Sequence, residues 1–199
     1  YQSGTTPNIQ RYRSAVASLL AEVDTFAQLA GPKQQPIVDQ LRSAVKQYTD
    51  SFDLMVAAYR ERGTGEWGVA GALAQTFDRI DQKILAGQND ALEYQLSQLR
   101  IQQNYYFLHK EDTRRTEVTA QLQRIKGDLQ AQGGADAAAL LQDLSHYETL
   151  FGQYVALDDK VGRTENEGLQ ADMRSAARTL EPIVETIRLD AIAAGELAR

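Results

Sequence analysis

Residues 66–109 read EWGVAGALAQTFDRIDQKILAGQNDALEYQLSQLRIQQNYYFLH, and the way this stretch divides decides the fold. Its apolar residues fall at Val69, Leu73, Phe77, Ile80 and Ile84, then at Leu92, Leu96, Leu99 and Tyr106, with Gln103 in the same seam. These are the three- and four-residue steps of one helix face. Only Gly87 interrupts the pattern. One interior glycine costs about 1 kcal/mol relative to alanine, which a long packed helix absorbs. The spacing therefore predicts a single helix, about 66 Å long.

The same rhythm runs outward in both directions. Upstream, Ile9, Tyr12, Val16, Leu19, Val23 and Phe26 form a first face, opened at Thr6-Pro7 and ended by Gly31-Pro32. A second follows Pro36 through Ile37, Leu41, Val45, Tyr48, Phe52, Met55 and Tyr59 to a turn at Gly63-Thr64-Gly65. Downstream, Val118, Leu122, Ile125 and Leu129 precede Gly133-Gly134, and Leu141, Leu144, Tyr147, Phe151 and Tyr154 precede Gly162. The last seam starts near Glu165 and runs Leu169, Met173, Ala176, Leu180, Ile183 and Ile187, with Pro182 inside it as a predicted kink. No strand pattern appears. The expectation is an all-α protein of six helices, two of them long.

Tyr48, Phe52, Val56, Ala57 and Gly63 recur as Tyr147, Phe151, Val155, Ala156 and Gly162, each pair 99 positions apart. Leu19 and Val23 meet Val118 and Leu122 at the same offset. A duplication explains this. It predicts two stacked four-helix-bundle modules sharing the long helices: a membrane-proximal module of 1–87 with 188–199, and a distal one of 88–187. The closing strip would be Asp190-Ala191-Ile192, which echoes Asp90-Ala91-Leu92.

The 199 residues are 43% hydrophobic, enough to bury a core. A net charge of −6, with 21 scattered Lys and Arg, argues against nucleic acid as a partner. The absence of cysteine removes disulfides, thiolate zinc sites and thiol nucleophiles. No apolar run is long enough to span a membrane. The chain opens on Tyr1 without Met and stops at Arg199 without a helix-ending signal, and reads as a fragment of something longer, while two stacked bundles with both termini at one end suit an outward domain held between two membrane spans.

Leu99-Arg100-Ile101-Gln102-Gln103-Asn104-Tyr105-Tyr106-Phe107-Leu108 is similar to the Arg-x-x-Glu-Lys-Asp-Phe-Leu-Leu segment of helical bimodular sensor domains. Gly168-Leu169-Gln170-Ala171-Asp172-Met173-Arg174-Ser175-Ala176-Ala177 resembles their Gly-Leu-x-Gly-x-Met-Arg-x-Ala-Ala segment. These are the extracytoplasmic regions of methyl-accepting chemotaxis receptors and some sensor kinases. Gln103, Asn104 and Tyr105 replace the family's Glu-Lys-Asp, Ala171 replaces a glycine, and Arg178 stands where a histidine is usual. The resemblance implies a periplasmic sensor that binds a small molecule, often an organic acid, inside a bundle. It passes a helix displacement across the membrane through spans outside this chain, and leaves room for a homodimer.

The residues themselves offer little chemistry beyond binding. His109 and His146 lack the Glu-x-x-His spacing of di-metal bundles, and read as surface or half-buried side chains. Asp158-Asp159 and Glu111-Asp112 read as solvated helix-end residues. No catalytic residue, metal or cofactor is expected. Arg100 and Arg174 flank core seams, with Arg178 one turn beyond Arg174, and a guanidinium fork grips a carboxylate with both nitrogens. Gln103, Tyr106 and Tyr147 add polar atoms in core phase, completing a candidate ligand site of Arg100, Gln103, Tyr106, Tyr147, Arg174 and Arg178. The rival expectations are a helical module that docks a protein or spaces a receptor, and a metal-dependent bundle enzyme.

Overall fold

A computed structural model describes residues 7–29, 31–32 and 34–197, and the side chains of 7–28, 31–32 and 34–189. The described residues form seven helices and no strand: α1 (Pro7–Leu29), α2 (Gln35–Arg62), α3 (Gly68–Ala86), α4 (Asp90–His109), α5 (Asp112–Gln132), α6 (Gly134–Val161) and α7 (Gly168–Leu197). The all-α class and most helix spans agree with the apolar spacing. The count of six does not, because the helix predicted over 66–109 is two helices.

The break has a local cause. After Ile84 the seam needs its next apolar residue at 87 or 88, and Gly87 and Gln88 stand there. Gly87 caps α3 by donating to the carbonyls of Lys83 and Ile84, each at 3.1 Å. Gln88 adopts a left-handed backbone with φ 51°. Asn89 then caps α4, its side chain accepting the Leu92 N–H at 3.1 Å, with Asp90 and Glu93 favourably placed in the first turn. An αL residue followed by Asn-Asp is a stop and a start, not a lone glycine within a helix.

The chain groups into two compact units, Ala57–Arg163 and the remainder. In the first, α3 packs on α6 and α4, and α5 on α4 and α6, closing a ring of four consecutive helices. Cross-links show the pairs to be antiparallel. Arg79 and Lys83 reach Asp143, while Phe77, earlier on α3, meets Tyr147, later on α6. Arg100 meets Asp78, so α4 folds back beside α3. The core runs continuously from Leu73 and Phe77 through Leu96, Leu99 and Tyr106 to Leu122, Ile125, Leu144, Tyr147 and Phe151. In the second unit, Val23 of α1, Val38, Leu41 and Val45 of α2 and Ile183 of α7 form a smaller core. Tyr12 stacks on Phe52 with ring centroids 3.7 Å apart, and burial pushes its hydroxyl up to about 12. α7 continues through Pro182. The expected closing strip at Asp190-Ala191-Ile192 lies outside the described side chains.

The internal repeat extends to backbone hydrogen bonds. Gly63 donates to Tyr59 and Gly162 to Asp158, an offset of 99. Next, Trp67 donates to Thr64 and Gly71 to Trp67, as Glu167 donates to Thr164 and Ala171 to Glu167, an offset of 100. Arg163 is the extra residue. Gly68 and Gly168 then open α3 and α7 with φ of 64° and 54°. At Gly63 a Cβ would lie 1.9 Å from the Trp67 carbonyl oxygen, so the first turn tolerates no side chain there.

Candidate functional site

Within the four-helix unit, the end where α4 and α6 finish is built around one carboxylate. Asp158 is only 3% exposed. Arg62, at the end of α2, donates to its Oδ1 at 2.6 Å, and Lys110 donates to its Oδ2. The Tyr106 hydroxyl approaches the same oxygen at 3.5 Å. Burial, then the neighbouring Asp158 charge, raises the Tyr106 phenol, so the proton remains on it. Lys110 also donates to the Tyr154 hydroxyl at 3.4 Å and holds φ 56° as the α4 C-cap. Arg163 ties this end together from outside, binding Asp159 at 2.7 Å, Asp112 at 2.8 Å and the Lys110 carbonyl at 3.2 Å. Asp159 and Asp112 are therefore surface residues in a network, but Asp158 is not the solvated cap that its position in the sequence suggests. Its helical phase, following Tyr147, Phe151 and Tyr154 by steps of four, three and four, is the signal for its burial.

Tyr154 also belongs to a cleft of about 350 Å³ on the same side of the unit, a size typical of small-molecule sites. Phe77, Phe107 and Tyr154 supply its aromatic walls. Arg100, Gln103 and Asn104 supply polar groups from adjacent turns of one face of α4, and the Gly63-Thr64-Gly65 turn forms its rim. Ala70 and Ala74 keep the α3 side shallow, which leaves the space. Arg100 lies over the Phe77 ring at 4.2 Å and is held to Asp78 only at 3.3 Å. Its side chain is 52% exposed, so the fork can exchange that exposed partner for another anion.

The six expected site residues distribute unevenly. Arg100 and Gln103 line the cleft. Tyr106 lies buried behind it, bound to Asp158. Tyr147 is fully buried against Phe77, with its hydroxyl unpartnered and its phenol raised by burial. Arg174 and Arg178 belong to the other unit. There Arg174 is engaged by Glu165, whose carboxyl it holds below the usual range, and by Asn166 at 3.5 Å. Arg178 is exposed. Asn104, Phe107, Tyr154 and the Gly63–Gly65 rim were not among the expected residues.

Among the described residues, no group of three or more His, Asp and Glu side chains could hold a metal ion, and no helix is long and apolar enough to cross a membrane. His109 and His146 are both exposed. No protein-family model, no curated protein and no solved structure matches the chain.

Proposed function

We propose that this chain is the periplasmic ligand-binding sensor domain of a transmembrane chemoreceptor or sensor kinase, and that it binds a small organic acid and passes a helix displacement across the membrane. The observation that supports this is the α3·α4·α6 cleft, which combines an exchangeable guanidinium, two amides and aromatic walls. A carboxylate entering it would replace Asp78 as the partner of Arg100, while Gln103 and Asn104 would hydrogen-bond its second oxygen or a neighbouring hydroxyl. The ligand would thereby couple α4 to α3 and α6. Signalling then requires only that it bind one arrangement of these helices more tightly than another.

The test is a thermal-shift screen against small carboxylic acids, aromatic acids, amines and sugars, repeated with Arg100→Ala and Arg174→Ala. An acid at 100 times its dissociation constant stabilises by about 2.7 kcal/mol. We expect an acid to raise the melting midpoint, Arg100→Ala to abolish the effect, and Arg174→Ala to preserve it. Failure of every acid, or a hit indifferent to Arg100→Ala, contradicts the proposal.

One observation favours the rival reading of a protein-docking module. Ile101, Tyr105 and Leu108 project from α4 at steps of four and three, with Leu108 75% exposed. A receptor that loses its response on Ile101→Ser with Leu108→Ser, while its sensor domain shows no acid-induced stabilisation, would support that reading.

A further inference from the structure

A second groove, of about 460 Å³, runs between α4 and α5 and has different chemistry from the cleft. Tyr94, Gln95, Gln98, Gln102, Gln121 and Arg124 line it: four amides, one ring, one cation and no carboxylate. Two of the amides have fixed settings. Gln95 donates its nitrogen to Asp128 at 2.6 Å, and Gln121, itself buried, donates to the Gln95 carbonyl at 3.0 Å. The Gln95 Oε1 that remains is buried without a hydrogen-bond partner, and so is Gln102 Oε1. Native interiors rarely leave such acceptors unpaired, and two in one groove point to a ligand or solvent that donates to them.

The lining selects the donor. A cationic amine would face Arg124, and the carboxylate nearest the lining, Asp128, already accepts from Gln95 at 2.6 Å. A carboxylate would be welcome at Arg124 but has no proton for the two amide oxygens. A neutral hydroxyl does both, donating to Gln95 and Gln102 and accepting from Gln98 and Arg124. The Tyr94 ring, with the residue 67% exposed, presents the flat apolar surface on which the C–H face of a sugar ring rests. We propose that this groove binds a neutral polyhydroxylated ligand of the monosaccharide class. The inference does not rest on the organic-acid reading, which concerns other residues.

The test is titration of the isotope-labelled chain with D-glucose, D-galactose, myo-inositol and the two methyl glycosides, followed by the side-chain amide signals of Gln95, Gln98 and Gln102. Succinate serves as a probe of the separate cleft. We expect at least one of the hydroxylated probes to move these signals saturably at millimolar concentration. A response to the methyl glycosides as well would identify a terminal sugar unit as an acceptable source, and a response to free sugars alone would identify the free sugar. Gln102→Leu should weaken binding about tenfold. Its melting midpoint should not fall, because it removes an unpaired buried acceptor. Tyr94→Ala, at an exposed position, should weaken binding too. Absence of any saturable shift, or unchanged affinity in both variants, overturns the proposal. Groove signals that move with protein concentration alone would instead assign the groove to a second copy of the chain, and would also overturn it.

Discussion

The two ends of the four-helix unit are held by different chemistry. At one end Asp158 gathers Arg62 from the end of α2 and Tyr106 and Lys110 from the end of α4. At the other, the α3–α4 turn is closed by short-range backbone bonds and the Asn89 cap. The first end is cross-linked through long-range charges and the second through neighbours in sequence. The cleft opens beside the cross-linked end, where α3 and α4 have returned to each other and small residues leave room between them. A fixed framework there holds the binding side chains in position with little ordering cost on ligand binding.

Because of this contrast, substitutions at the charged end should cost more. Asp158→Ala strands two cations in a largely buried site and should destabilise the chain by about 3–5 kcal/mol in urea unfolding. Gly63→Ala, at the rim of the same end, forces a Cβ against the Trp67 carbonyl and should cost about 2 kcal/mol or more, with loss of acid binding if the turn shifts. At the far end Asn89→Ala removes one cap and should cost about 1 kcal/mol. A larger loss at Asn89 than at Asp158 would invert the comparison.

The smallest effect is one of pH. Burial acts to raise the Asp143 carboxyl, but hydrogen bonds from Lys83 and Arg79 outweigh it and hold the group below its ordinary value of 3.8. Its folded value is depressed, so its contribution is full above that value and disappears as pH falls through the lowered one. Asp143→Asn should therefore flatten the acid limb of the stability profile and leave the limb above neutrality unchanged, as measured by unfolding at a series of pH values.

Helix positions were legible because apolar residues repeat at three and four. Gln103 stood out for the same reason, as an amide in an apolar seam, and it does line the cleft. Apolar spacing alone hides the α3–α4 turn, because Gly87 marks a helix end only together with the Asn89-Asp90 start signal behind it. Arg62 and Lys110 were lost for another reason. They lie 96 and 48 positions from Asp158, and no local pattern announces a partner that distant. Arg62 does follow Tyr48, Phe52, Met55 and Tyr59 in phase, as Asp158 follows Tyr154. A charged residue in core phase is the clue that both shared.

The cleft exists because α3 and α4 fold back on each other at Gly87–Asn89. The chain contains no cysteine, so Gln75→Cys with Tyr105→Cys gives a clean pair of spin labels, both at exposed positions. The expected label separation is roughly 20 Å or less, that of two neighbouring antiparallel helices. A separation of about 45 Å, the length of an unbroken helix between those positions, would contradict it and remove the cleft with it.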